Sequence, residues 1–396
     1  MMRFGRAFAL AVLALAVAGC QKKQEPEKAG QQQSAATPAA SDTILIGHVA
    51  SLTGEQATFG ESTDNAIKLA IAEANAKGGV KGKKLVLKTY DDQGKPEEAA
   101  VAATRLIVQD KVAVLLGEVA SSRSLAIAPI ADANKVPQIS PTSTNPRVTK
   151  DGDKTRPYVF RVCFIDPFQG TVMAKFTAEN LKLKKVAILR DVGNDYSVGL
   201  ADFFSSKFKE LGGEIVSDQS FKAGDQDFKA QLTSIKNKKP DLIYVPAYYT
   251  DVALIGRQAR ELGIKVPLAG GDGWDSTKLY EIAQGALDGS FFSNHYTHEN
   301  PEPVIQNFVK KYQETYGGIP DALAALGYDA ALVAIDAMNR ATDLTGPAIR
   351  DAIEQTKDFQ GVAGRITLDE NHNAIKSAVV IGIEKNAAKY VATVEP

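Results

Sequence analysis

From Thr43 onward the chain alternates short apolar stretches with amphipathic helical ones, and the cycle runs twice. Ile44-Leu45-Ile46-Gly47 has the length of a buried strand, and Ile67, Ala70, Ile71 and Ala74 follow at the spacing of one helix face. Residues 85–90 read as the next strand, before a helix carrying Ala99, Ala102, Ala103, Leu106 and Ile107. A third strand at 112–116 leads to a helix from about Ser122 to Asn134. Near Lys184 the pattern restarts, with strands at 186–189, 214–216, 242–245 and 267–269, each beside a helical stretch. Strands alternating with helices of this length form parallel sheets covered by helices. The body from Thr43 is roughly 350 residues, too long for one compact core and suited to two domains. The expected fold is therefore α/β, with two doubly wound parallel-sheet lobes.

The N-terminus is of a different kind. Arg3 and Arg6 precede an apolar stretch, 8–18, that is far shorter than the ~20 residues needed to cross a bilayer. Val17-Ala18-Gly19-Cys20 then resembles the lipobox of bacterial lipoproteins, in which the cysteine is acylated and becomes the first residue of the mature chain. Residues 1–19 are read as a lipoprotein signal peptide and Cys20 as the lipidation site. From Gln21 to Ser41 there is no aromatic residue and no Val, Ile or Leu, so the segment cannot offset its ordering entropy. Residues 20–42 are read as lipidated Cys20 and a disordered tether, spanning about 25 Å as a flexible coil.

Composition excludes several classes of function. The formal net charge is −1, lysines and acids are interspersed, and no basic face points to nucleic acid. No segment after the signal is expected to span a membrane. Cys163 is the one cysteine after Cys20, so no internal disulfide can form, and its apolar surroundings read as a buried structural thiol. Of the four histidines, His48, His295, His298 and His372, the pair His295 and His298 has HxxH spacing but no third ligand nearby, so no metal site is expected. No G-x-S-x-G elbow, P-loop or G-x-G-x-x-G follows a strand. Residues 369–373 read as a turn without EF-hand spacing, and Asp191 and Asp195 as residues that shape a turn and border a cleft. No enzyme activity and no cofactor are expected.

In doubly wound sheets ligands bind beyond the carboxyl ends of the strands. The residues found there are Gly117-Glu-Val-Ala-Ser121-Ser122-Arg-Ser124, then Ser140-Pro141-Thr142-Ser143-Thr144-Asn145-Pro146. Hydroxyls and free N–H groups at a helix start attract an anion such as a carboxylate. In the second half the equivalent positions hold Pro246-Ala247-Tyr248-Tyr249 and Gly270-Gly271-Asp272-Gly273-Trp274. Glycines around the acid leave room for close approach.

These stretches together resemble the periplasmic leucine/isoleucine/valine-binding proteins, the type I solute-binding proteins of ABC importers. The most specific phrase is Asn75-Ala-Lys-Gly-Gly-Val-Lys-Gly-Lys83 followed by Tyr90-Asp91-Asp92, supported by Leu52-Thr53-Gly54, Gly224-Asp-Gln-Asp-Phe228, Arg257-Gln-Ala-Arg-Glu-Leu-Gly263 and Leu326-Gly-Tyr-Asp-Ala-Ala331. The resemblance implies two α/β lobes joined by three crossings, near 161–163, 290–294 and 364–369, with the ligand between them. Lobe I would comprise 43–162 plus 292–365, and lobe II 163–291 plus 366–396. By carry-over, Ser121 with the backbone of Val119 and Ala120 takes the α-carboxylate, and Thr142 and Thr144 form the second hydroxyl loop. Tyr248 is a cleft tyrosine, Asp272 pairs with the α-ammonium, Phe59 and Tyr196 border the side-chain pocket, and Trp274 is a wall. Members often carry glutamate at the place of Asp272, and a family disulfide is absent here, where Gln93 and Ala120 stand. The implied function is an extracytoplasmic lipoprotein that captures a hydrophobic, branched-chain amino acid and delivers it to an ABC-type permease. It would be a monomer held to the membrane by its lipid alone, in the periplasm or on a Gram-positive surface. The alternative is a sensor or binding protein for another small ligand: an amide, urea, an aromatic acid or an aromatic amino acid.

Overall fold

Parallel pairing of Thr43–Ala50 with Lys84–Asp91 on one side and Val114–Leu116 on the other starts the first sheet. Gln138–Ser140 and Val159–Arg161 extend it, also in parallel. Val114–Leu116 is buried throughout, as a strand covered by helices on both faces must be, and so its sequence shows no polar alternation. The computed structural model describes Asp42–Pro396; the signal, Cys20 and tether readings lie outside the described residues.

The second sheet has five parallel strands in the order Phe291–Asn294, Leu268–Gly270, Leu242–Tyr244, Lys185–Asp191 and Glu214–Phe221. An antiparallel hairpin, Ala378–Glu384 with Ala387–Val394, continues it beyond Phe291–Asn294. Both lobes are thus doubly wound, and the second is mixed at one edge. Each sheet has its own core. Ile46, Leu116, Ile139, Phe160 and much of the helix Ala322–Arg340 belong to the first, and Val186, Ile188, Tyr244, Phe204 and Trp274 to the second.

Core membership also shows where the chain passes between lobes. Cys163 packs with the first core and Phe164 with the second; Phe292 belongs to the second and Tyr296 to the first; Ala374 belongs to the first and Ala378 to the second. On this basis we propose lobe I as 43–163 plus 296–375 and lobe II as 164–295 plus 376–396. The change has a simple cause. Phe291–Asn294 is paired inside the second sheet, while Thr367 and Leu368 pair with Ile375 and Ala374 beside the first core.

Cys163 is a free, buried cysteine whose thiol is pushed up to about 12 by burial, so it is inert at neutral pH. Ala322–Arg340 has the length and composition of a membrane span, contrary to the expectation that no later segment would, but 83% of its apolar window is buried inside the protein. Asp321 caps this helix by accepting the Ala324 N–H at 2.8 Å.

Candidate functional site

Beyond Val114–Leu116 the chain runs directly into the helix Ser121–Asn134, so that helix points its N-terminus out of the sheet edge. Its first three N–H groups have no partner within the helix. The approach to the helix is held from below by buried Glu118, whose Oε2 accepts from the Ala120 N–H at 2.7 Å and from Arg123 Nε at 2.8 Å. Ser51 Oγ reaches both Glu118 Oε1 at 3.3 Å and Asp92 Oδ1 at 2.7 Å. Burial, and then the neighbouring Glu118, push the Asp92 carboxyl up to about 7. The Glu118 carbonyl accepts from the hydroxyls of Ser124, Ser140 and Ser143, which ties the two hydroxyl loops together. This polar lattice ties together the ends of the strands Thr43–Ala50, Lys84–Asp91 and Val114–Leu116.

The hydroxyls differ in what they have left to offer. Thr142 Oγ1 donates to the Val119 carbonyl at 2.8 Å. Ser121 Oγ accepts from the Asn145 N–H at 3.2 Å and keeps its own proton to donate. Thr144 is fully buried and turns to Asp166, and the Ala120 N–H is already committed to Glu118.

On the opposite lobe, Leu268–Gly270 ends in a 3-10 turn, Asp272–Trp274, that presents Asp272. Each oxygen of this buried carboxylate accepts one hydrogen bond, Oδ1 from Gln169 Nε2 at 2.7 Å and Oδ2 from His295 Nε2 at 2.8 Å. Burial lowers the pKa of His295, which leaves its Nε2–H tautomer neutral. Asp166, also fully buried nearby, is pushed up to about 8 by burial and is protonated at neutral pH. Tyr196 and Tyr248 stack with ring centroids 5.3 Å apart, and Phe59 meets Tyr248 edge-on from the other lobe at 5.7 Å.

The glycines of this turn make room for protein, not for ligand as the sequence suggested. A Cβ at Gly271 would lie 2.5 Å from the Tyr196 hydroxyl and 2.7 Å from Gln169 Nε2, and one at Gly273 2.9 Å from Tyr248.

A small cavity of about 20 Å³ lies between the lobes, room for roughly one water and far below the ~300–1,000 Å³ of open small-molecule sites, so the lobes stand closed on one another here. Lobe I lines it with Phe59, Val119, Ser121, Thr142 and Leu323, and lobe II with Tyr196, Tyr248, Asp272 and Gly273. Three residues proposed from the sequence stand elsewhere. Ala120 and Thr144 lie behind the loops. Trp274 is fully buried in the second core, its indole N–H donating to the Val245 carbonyl at 2.9 Å and its ring packed near Phe292. Sequence reasoning missed Gln169, Leu323 and the role of His295. His295 had drawn notice through its HxxH spacing, but no periodicity reports that it meets an acid 23 residues away.

The lobes also touch along the rim. Ser122 Oγ donates to Asp195 Oδ2 at 2.9 Å and accepts the Asp195 N–H at 3.0 Å, and Thr58 Oγ1 and Ser276 Oγ are 2.9 Å apart. Among the described residues no cluster of acids, histidines or cysteines is arranged to hold a metal.

Arranged in this way, a cationic group is favoured at Asp272, an anionic one at Ser121 and its helix start, and an apolar body between them. The profile described as "Periplasmic binding protein" matches residues 43–388. The leucine-binding protein LivK of Thermotoga maritima MSB8 is 44% identical, covers 89% of this chain and 99% of its own, and superposes with a TM-score of 0.85. The substrate-binding protein LivJ of Streptococcus pneumoniae, solved in complex with isoleucine, is 33% identical over 89% of this chain and 100% of its own, with a TM-score of 0.84. The Leu/Ile/Val-binding protein BraC3 of Rhizobium johnstonii is 36% identical over 257 residues, 65% of this chain and 69% of that one. The chain belongs to the periplasmic binding protein family, with the type I fold and among the leucine/isoleucine/valine-binding proteins, a family of extracytoplasmic solute carriers for transporters and not of enzymes.

Proposed function

We propose that this chain is a solute-binding lipoprotein, anchored through Cys20, that captures a hydrophobic amino acid of the branched-chain kind and hands it to an ABC importer. The observation that carries the reading is the opposition across one cavity of a buried acid, Asp272, and the free N-terminus of the helix Ser121–Asn134. A zwitterion has its two charges a few ångströms apart, and a closed cleft engages both at once. Phe59, Val119 and Leu323 supply an apolar lining for the side chain, and Tyr196 and Tyr248 frame it. The bound isoleucine of the pneumococcal relative supports the same ligand class. Because affinity is high only when both lobes contact the ligand, binding drives closure, and the closed form is what a permease can distinguish.

A thermal-shift screen of the body from Thr43 against the natural amino acids, urea, short amides and benzoate tests this. Ligand at a hundred times its Kd stabilises by about 2.7 kcal/mol, a rise of several degrees. We expect a rise with leucine, isoleucine or valine and none with their des-amino acids, and loss of that rise in Asp272→Ala with the unfolding transition retained. A response only to amides, urea or aromatic acids would transfer the site to the alternative ligand class.

A further inference from the structure

We propose that His295 is the residue that positions Asp272 for a cationic ligand group, and that its protonation switches the site off in mild acid. The inference rests on the amino-acid reading above and adds a residue and a regulation to it. Three geometric facts carry it. First, His295 Nε2 donates to Asp272 Oδ2 at 2.8 Å, so the imidazole fixes the side of the carboxylate that Gln169 leaves free. Second, the ring is closed in: it is buried, stacks on Phe164 at 3.7 Å between centroids, and has no hydrogen-bond partner at Nδ1. Third, His295 directly follows the strand Phe291–Asn294, where the chain leaves lobe II for lobe I, so its placement depends on the crossing itself.

Neutral His295 serves as a donor and leaves the full charge of Asp272 to attract an ammonium group. A second proton, at Nδ1, makes an imidazolium against that carboxylate, cancels its charge and repels an ammonium beside it. Ligand and proton then compete, and for one competing proton the affinity falls by up to about tenfold per pH unit below the pKa of the free protein.

Of the other ionisable groups around the pair, Asp329 titrates in the same range as the switch, and Asp275, just after the Asp272 turn, is raised by burial. Asp166, on the helix that carries Gln169, is pushed up to about 8 by burial, and Lys376, on the third crossing, is brought down to about 8 by burial. Cys163 on the first crossing is neutral, as are the hydroxyls of Tyr196 and Tyr244, all raised by burial. Asp329, which receives the Val362 and Ala363 N–H groups, is pushed up to about 6 by burial, against the charge of Lys376. Burial and the charge of Lys376 both hold the His295 pKa below its usual value, which puts the switch on the acid side of 6.5.

Calorimetric titration with L-leucine from pH 4.5 to 7.5 tests the proposal on the unaltered protein and on His295→Gln, whose amide keeps a donor near Nε2 but does not titrate. We expect the unaltered protein to lose affinity by up to tenfold per pH unit on the acid side of the ordinary histidine range, and the variant to bind less than tenfold more weakly at pH 7.5 with no acid loss. A residue with only a structural role would weaken binding by the same factor at every pH. An acid limb that survives in the variant assigns it to Asp272 itself and overturns the proposal. Should the variant not fold, the His295 ring resonance in the unaltered protein decides: leucine must move its titration to lower pH, and an unmoved titration overturns the proposal equally. If leucine does not bind at pH 7.5, the amino-acid reading fails and this one with it; binding at pH 7.5 with a flat profile removes this one alone.

Discussion

Asp272 faces the cavity with each oxygen already accepting one hydrogen bond, which pins this short side chain in place. A glutamate can swing; an aspartate pinned by Gln169 and His295 cannot. The turn around it is built for this side chain and for its neighbour Trp274. Gly270 leaves the space the indole fills, since a Cβ there would lie 2.2 Å from Nε1. Trp274→Ala should therefore open a hole in the second core and destabilise the protein by about 3–5 kcal/mol. Urea unfolding reads that loss, while the leucine affinity of the folded variant should change by less than tenfold. Reading Trp274 as a cavity wall failed because a tryptophan beside a glycine-flanked acid looks the same in sequence whether it points to ligand or to core. Phe59, Ser121 and Tyr248 were legible because they follow strand ends and helix starts, places where topology alone decides what faces the cleft.

At the scale of elements, two helices meet across the mouth of the cleft. Ser122, in the first turn of Ser121–Asn134, and Asp195, in the first turn of Asp195–Glu210, meet across the lobes: Ser122 Oγ accepts the Asp195 N–H and donates to the Asp195 carboxylate. Arg147 adds an ion pair to Asp195 at 2.7 Å, but its side chain is 71% exposed. Asp195→Ala removes the Ser122–carboxylate hydrogen bond and the ion pair while keeping the backbone N–H bond to Ser122, and should raise the dissociation rate of leucine about tenfold, measured by stopped-flow fluorescence. Arg147→Ala removes the solvated pair alone, worth ~0–1 kcal/mol, and should leave the rate within about threefold to fivefold. The sequence marked Asp195 as a residue bordering the cleft, but a contact between side chains 73 positions apart carries no local signal. The C-terminal hairpin stayed hidden for a related reason. Its turn is Lys385-Asn386, both with positive φ (51° and 58°), whereas the turn chemistry that advertises such a hairpin is Asn-Gly or Asp-Gly.

Across the described molecule, five buried aspartates share one behaviour. Asp92, Asp251 and Asp321 are pushed up to about 7, Asp329 to about 6 and Asp166 to about 8, in each case first by burial. Such a group is protonated in the fold at pH values where the unfolded chain, with carboxyls near ~4, is ionised. The folded state then binds more protons, so this contribution to stability is fully present below pH ~4 and is lost as pH rises toward 8. Asp64 acts the other way: against its burial, His48 and Lys68 hold it well below the usual carboxylate range. The lowered aspartates titrate below pH 5, so between pH 5 and 8 the raised ones outweigh His295, whose lowered pKa acts the other way. A higher Tm is expected at pH 5 than at pH 8, and Asp166→Asn should flatten the upper part of that slope in a calorimetric series. None of this was legible in the sequence, where an aspartate gives no sign of its depth. The alternation of strands and helices, by contrast, announced both lobes, because each parallel strand needs a covering helix close behind it.

The interleaved route of the chain also sets the order in which it can be finished. The strands of the first sheet are complete at Arg161, yet the helix that covers their core, Ala322–Arg340, is made only after all five parallel strands of the second. A growing polypeptide thus lacks the piece that would seal its own first half until most of it has been synthesised.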